Sequence, residues 1–307
     1  MCTLFGWRAV FVVPLVGGIA VAAAGVKLVQ NVGERQDVSL DILSVILLAA
    51  GITAFVYSVG EFSSNVMMGV AALVAAIVLL GLFAARQLKL EHPVLNVRPM
   101  ASVRFWPACL LVVVSMMTTF SMSVLLPLYF EGAYGMTALV AGLLILPAIA
   151  CNAVTSIVGG RVMDARGAWP LLPVGFALIA VGQTAISMTA ASMNIGVVVA
   201  LTVVVYAGVG LVLSPSQTAG LETLPAAEHP HGTALLNTWN MIAASFGPSL
   251  FIGLLSSSAA TAGAAGAATD VAQAIGFAAA VRVAAVIAVV GFVASLVYAR
   301  RESHMSH

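Results

Sequence analysis

Apolar residues run along this chain in blocks of about twenty, and the polar and charged residues are confined to short stretches between them. An α-helix rises about 1.5 Å per residue, so about 20 apolar residues carry it across the hydrocarbon core of a bilayer. Blocks of that length predict nine helical spans. They fall at about Trp7 to Val29, Leu40 to Gly60, Asn65 to Ala85, Trp106 to Phe130, Ala138 to Val158, Leu171 to Thr189, Ile195 to Pro215, Thr233 to Ser256 and Gly276 to Tyr298. The connections are short except for Arg86 to Arg104 and Ser257 to Gln273. The second contains the run AATAGAAGAATD, whose small residues either form a flexible loop or extend a helix.

The basic residues test these spans independently, because Lys and Arg collect in cytoplasmic connections. With the N-terminus outside, the cytoplasmic segments hold Lys27, Arg35, Arg86, Lys89, Arg98, Arg104, Arg161, Arg166, Arg300 and Arg301, leaving only Arg8 and Arg282 outside. The expected topology is therefore N-terminus outside and C-terminus cytoplasmic. An odd number of spans with an external, uncleaved start is unusual for a polytopic protein, and it points to truncation. A cleaved signal peptide does not fit the first 29 residues: the apolar stretch exceeds the usual length and Arg8 is its only early positive charge.

Composition agrees with an all-α, polytopic transmembrane bundle. Of 307 residues, 62% are hydrophobic and 7% are charged, against about 25% charged in soluble domains. The net charge of +1 supplies no basic field, so nucleic acid is not an expected partner. Cys2, Cys109 and Cys151 are far apart and lack CxxC spacing, so they read as packing residues rather than a disulfide framework or zinc site.

Acidic residues are absent from the predicted span interiors. The acids Glu34, Asp37, Asp41, Glu61, Glu91, Glu131, Asp164, Glu222, Glu228, Asp270 and Glu302 fall at span ends or in connections. A charge at bilayer depth costs at least about 2.5 kcal/mol and persists only for a purpose. No buried acid is thus expected as a proton carrier. His92, His229, His231, His304 and His307 lie in cytoplasmic connections or the tail, where His229 and His231 read as loop residues rather than metal ligands. An intramembrane enzyme would need clustered His, Asp, Glu or Ser/Lys pairs within spans, so no enzyme, catalytic residue, metal or cofactor is expected.

The spans do contain neutral polar residues and helix breakers. Pro127, Pro147, Pro215 and Pro248 lie in or at the ends of spans four, five, seven and eight. Proline there frees backbone groups that neighbouring helices or a wet cavity must satisfy, which marks those spans as candidate walls of a substrate path. Asn237, Asn240, Met241 and Ala244 share one face of span eight. Asn152, Gln183, Tyr206 and the group Met116, Met117, Ser121 and Met122 add polar atoms or soft apolar surface. Each polar side chain either lines a cavity or bonds a neighbouring helix, a contact worth about 0.6 kcal/mol.

The connection after span five, Gly159 to Ala168, predicts a tight turn: its glycines allow unusual backbone angles, and Asp164 can cap the next helix or pair with an arginine. Its Gly160-x-x-x-Asp164-x-x-Gly167 spacing resembles the cytoplasmic loop motif of the major facilitator superfamily as it recurs in the C-terminal half. The run Gly6 to Pro14 resembles the start of the sixth helix of the fourteen-helix drug:proton antiporters. Leu126-Pro127-Leu128-Tyr129-Phe130, with Gly135 to Ala138 and Ala141-Gly142-Leu143, is similar to the ninth and tenth helices of that branch. The chain departs from the motif where Ala165 and Ala168 replace expected basic residues and Arg166 is shifted by one.

The resemblance implies a bundle of major facilitator type. It assigns residues 1–29 to the last helix of the N-terminal bundle, 30–85 to a linker helix pair, 86–105 to a cytoplasmic connection, 106–299 to the C-terminal six-helix bundle and 300–307 to a cytoplasmic tail. It implies that the first five helices are absent, to be supplied in cis or in trans. The implied activity is proton-coupled efflux of small amphipathic compounds or drugs across the cell membrane by alternating access. The implied partners are the small-molecule substrate, protons and the lipid bilayer; the chain alone is expected to be inactive. Asn152, Tyr206, Asn237, Asn240 and Met241 are the expected substrate contacts, and Gly160, Asp164, Arg166 and Gly167 the expected conformational gate. The other reading is a membrane scaffold or half-transporter subunit that pairs with a separate N-terminal half.

Overall fold

A computed structural model describes residues 9–28, 41–61, 65–90, 93, 95–103, 105–169 and 171–303. Cys2, the segment Gly6 to Arg8, His92, His304 and His307 lie outside the described residues. The chain divides into two units, Met1–Leu40 and Asp41–His307. The first holds α1 (Ala9–Leu28), a 20-residue apolar helix.

The second unit opens with an antiparallel pair, α2 (Ile42–Glu61) and α3 (Val66–Lys89). Each start is capped by a side chain. Asp41 accepts from the Ser44 amide at 3.5 Å and from its hydroxyl at 2.6 Å, and Asn65 accepts from the Met68 amide at 3.2 Å; the two amide bonds answer groups that a helix start leaves open. The two helices approach closely at Gly51, where an added Cβ would meet the Leu80 side chain. The start of α2 is tied to the end of α3 by Arg86 to Asp41 at 2.7 Å and by the Gln87 amide donating to Ser44 Oγ at 2.6 Å. The Arg86 guanidinium and the Ser44 hydroxyl hold the Asp41 carboxyl well below the usual carboxylate range.

Six longer helices follow: α4 (Phe105–Tyr134), α5 (Ala138–Arg166), α6 (Leu171–Thr189), α7 (Ile195–Glu222), α8 (His229–Ala264) and α9 (Thr269–Ser303). Helices α2 to α9 are each long and apolar enough to cross a membrane. The α4 helix is the pillar. It packs on α7, α8 and α9, while α6 packs on α7 and α9, and α5 leans chiefly on α7. Its apolar residues point to all sides, as a buried helix requires.

Each end of the bundle has its own lock. At one, Tyr129 stacks on Phe277 at 4.2 Å and donates its hydroxyl to the Ala190 carbonyl at 2.8 Å. At the other, Phe83, Leu95, Phe105, Leu235 and Leu236 form one buried cluster. There the Leu95 amide donates to Gln87 Oε1 at 3.1 Å, the Asn96 amide to His231 Nδ1 at 3.4 Å and the Trp239 indole to Met100 Sδ at 3.4 Å. These bonds fasten α2–α3 and its following connection to the start of α8. His229 and His231 thus bond to backbone groups, His229 through Nε2 to the Leu224 carbonyl at 3.1 Å.

One expectation changes, and one open alternative is decided. The tight turn after span five is helix as far as Arg166, and only Gly167 adopts the left-handed region, with φ 73°. Gly160 is tolerated because a helix interior accepts glycine at a cost of about 1 kcal/mol. The small-residue run resolves as helix on both sides of a short turn at Gly266, whose φ is 91°. Alanine is the best helix former, so the run lengthens α8 and α9 rather than forming a loop. Pro127, Pro147, Pro215 and Pro248 all sit inside continuous helices, as neighbouring helices permit in a membrane bundle.

Candidate functional site

The neutral polar groups of the bundle lie on three faces. On α4, Ser115, Thr118 and Ser121 are buried among Met116, Met117 and Met122. Ser121 spends its hydroxyl on the Thr118 carbonyl at 2.7 Å, whereas the Ser115 and Thr118 hydroxyls have no partner among the described residues. Ser216 on α7 and both ends of the Gln183 amide on α6 are likewise buried without a partner among the described residues. A buried polar group left unpaired costs about 1–3 kcal/mol, so these positions are the polar weak points of an apolar interior.

The α5–α7 face is tight. Gly210 lets the two backbones approach: an added Cβ there would meet Thr155 Oγ1 and, at 2.7 Å, the Asn152 carbonyl. Asn152 donates its side-chain amide to the Tyr206 carbonyl at 3.1 Å. Tyr206 itself is buried, at 6% exposure. The Asn152 contact is therefore an interhelical bond that bridges two walls.

The α8 face is open. Asn237 and Met241 line a cavity of about 220 Å³ between α8 and α2, opposite Ile52, Phe55 and Val56. Met241 is 64% exposed, so it forms a rim and not a core contact. Phe55 and Phe246 meet with ring centroids 6.4 Å apart and bridge α2 to α8. Asn240, three residues on from Asn237 and outside the cavity lining, is half-buried. Neither Asn237 nor Asn240 makes a side-chain hydrogen bond among the described residues.

The expected gate residues sit at the last turns of α5. Asp164 and Arg166 are exposed and form no ion pair among the described residues. Asp164 does not cap α6, whose first amides bond to the Ala168 carbonyl. The structure thus joins Asn152 with Tyr206 and Asn237 with Met241, but the two pairs belong to different faces. The α2 residues Ile52, Phe55 and Val56 were not legible as site residues, because apolar positions in a span look alike whether they meet lipid or a cavity. For Ser115 and Thr118 a signal did exist: two hydroxyls three residues apart share a helix face.

The family model described as Major Facilitator Superfamily matches residues 1–248. The chain is similar to the lincomycin resistance protein LmrB of Listeria innocua, with 31% identity over 253 residues, covering 81% of this chain and 54% of that one. It is 32% identical over 296 residues to the uncharacterized MFS-type transporter YcnB of Bacillus subtilis, covering 95% and 62%. A multidrug resistance protein B homolog of Mycobacterium tuberculosis is 25% identical over 261 residues, covering 82% and 48%. The chain spans about half the length of the first of these curated relatives.

Proposed function

Because the chain belongs to the Major Facilitator Superfamily, we propose that it serves as the C-terminal portion of a proton-coupled efflux transporter for small amphipathic compounds or drugs, by alternating access. The resistance proteins among its relatives support the direction and the substrate class. Lincomycin is accordingly the first compound to test. The observation that carries the reading is local: two asparagines, Asn237 and Asn240, keep carboxamides without a hydrogen bond among the described residues on an apolar membrane helix. Polar side chains in spans that bind no neighbour mark pathways for solutes.

In this reading Asn237, Asn240 and Met241 contact substrate from α8, while Asn152 and Tyr206, on a different face, act through the bond that joins α5 to α7. Gly160, Asp164, Arg166 and Gly167 act at the end of α5 as a conformational gate. Six-helix bundles of transporters work in pairs around a midplane site, so an N-terminal bundle acts with this chain in cis or in trans. The distribution of the basic residues supports an N-terminus outside and a C-terminus in the cytoplasm.

The test is export from energised cells. Cells carrying these 307 residues joined behind the N-terminal helices of the Bacillus subtilis relative are expected to export lincomycin and ethidium, and a protonophore is expected to stop it. The chain alone is expected to export neither. Export by the chain alone would overturn the half-transporter reading, and export that survives the protonophore would overturn the coupling.

A further inference from the structure

The cleft between α2 and α8 has the chemistry of a binding site built on the α8 residues Asn237 and Met241, which the transporter reading assigns to substrate. Its volume of about 220 Å³ lies below the roughly 300–1,000 Å³ of drug-sized pockets, which limits an occupant to two or three fused rings. No charged side chain among the described residues lines it, so an ion there would be desolvated without compensation from them. Two of its polar side chains are already engaged. Thr238 donates its hydroxyl to the Ala234 carbonyl at 2.8 Å, and Ser245 donates to the Met241 carbonyl at 3.0 Å. Asn237 remains, with a carboxamide that can both donate and accept.

The two sides of the cleft are held differently. Helix α2 is fixed to α3 by the Arg86–Asp41 and Gln87–Ser44 contacts and by the close approach at Gly51. Against α8 it makes an aromatic contact, Phe55 on Phe246, beside the cavity. Phe55 and Met241 are surfaces that adjust to an apolar body, methionine because it is unbranched and polarisable. Val56 is 44% exposed and Met241 64% exposed at the rim, so the cleft opens sideways toward the surroundings of the helices.

We propose that the α2–α8 cleft binds a small neutral amphipathic molecule taken from the bilayer, its rings against Ile52, Phe55 and Met241 and its single hydrogen-bonding group on Asn237. The proposal rests on the transporter reading for the class of molecule alone; the location rests on the cavity. It gives the linker pair a role as one wall of a lateral site.

The probe is 1-azidoanthracene, photolysed with the full 307-residue chain in phosphatidylcholine nanodiscs, with adducts mapped by peptide mass spectrometry. Adducts are expected on the segments carrying Ile52 to Val56 and Asn237 to Met241, and excess 1-aminoanthracene is expected to suppress them. Ile52→Trp fills the cleft from α2 and is expected to reduce these adducts by roughly tenfold. Ser245→Leu does so from α8 and serves if the first variant fails to fold, as judged by size exclusion. Adducts spread over all lipid-facing segments without competition would overturn the proposal, as would adducts unchanged by both variants. Adducts confined to the segments of Asn152 and Tyr206 would also overturn it while leaving the transporter reading intact. Labelling of the cleft together with absent export by the joined protein would sink the transporter reading and leave the cleft standing.

Discussion

Asparagine occurs in two walls of the bundle and does different work in each. On α5, Asn152 reaches across to the Tyr206 carbonyl at 3.1 Å, next to the close backbone approach at Gly210. On α8, Asn237 faces a cavity of about 220 Å³ and makes no hydrogen bond among the described residues. The same residue type therefore serves as interhelical glue on one wall and as unspent polarity on the other. The partner, and not the side chain, separates structure from recognition.

The largest expected effect comes from attacking the tight wall. Gly210→Leu drives a side chain into Thr155 and the Asn152 carbonyl, and overpacking of this kind costs about 1–3 kcal/mol or more. Thermal unfolding in detergent should show a large loss, while Gly253→Leu, where nothing lies within 4 Å of an added Cβ, should leave the melting temperature unchanged. Equal losses in the two variants would erase the contrast in packing.

Next in size is Asn152→Ala, which should lower stability by about 0.6 kcal/mol and at most about 1.7 kcal/mol, the range of hydrogen bonds between membrane helices. Tyr129→Phe, which removes the bond to the Ala190 carbonyl but keeps the Phe277 stack, should cost about the same 0.6 kcal/mol. Both are read from thermal unfolding.

The smallest effect concerns pH. The folded Asp41 carboxyl titrates below the usual range because Arg86 and Ser44 bond its charged form. Its contribution is thus present above the unfolded value, about 3.9, and is lost only as pH falls through the depressed folded value. Hydrogen exchange at the start of α2 should be the same at pH 7 and pH 5 after correction for intrinsic rates. A protection loss between those values would contradict the ion pair.

Much of the fold was legible because span length follows from bilayer thickness. The nine predicted spans match nine described helices, and Leu171 to Thr189 coincides with α6. Helix ends were less legible. The α8 and α9 helices reach 36 and 35 residues, beyond the length that hydropathy alone delimits, because alanine-rich flanks continue a helix without being strongly apolar. At the site, residue types were readable and partners were not. Nothing near Asn152 in sequence announces that its acceptor lies 54 residues away, and Phe55 carries no mark that it borders a cavity.

The central claim is that recognition belongs to α8 and scaffolding to α5–α7. Its most direct test is lincomycin export by the joined full-length protein, with Asn237→Ala and Asn152→Ala compared at matched folded amounts. The account predicts that Asn237→Ala lowers export by roughly tenfold, as loss of one substrate hydrogen bond in a dry site does. Asn152→Ala is predicted to leave export per folded molecule nearly unchanged. Unchanged export in Asn237→Ala with loss in Asn152→Ala would contradict it.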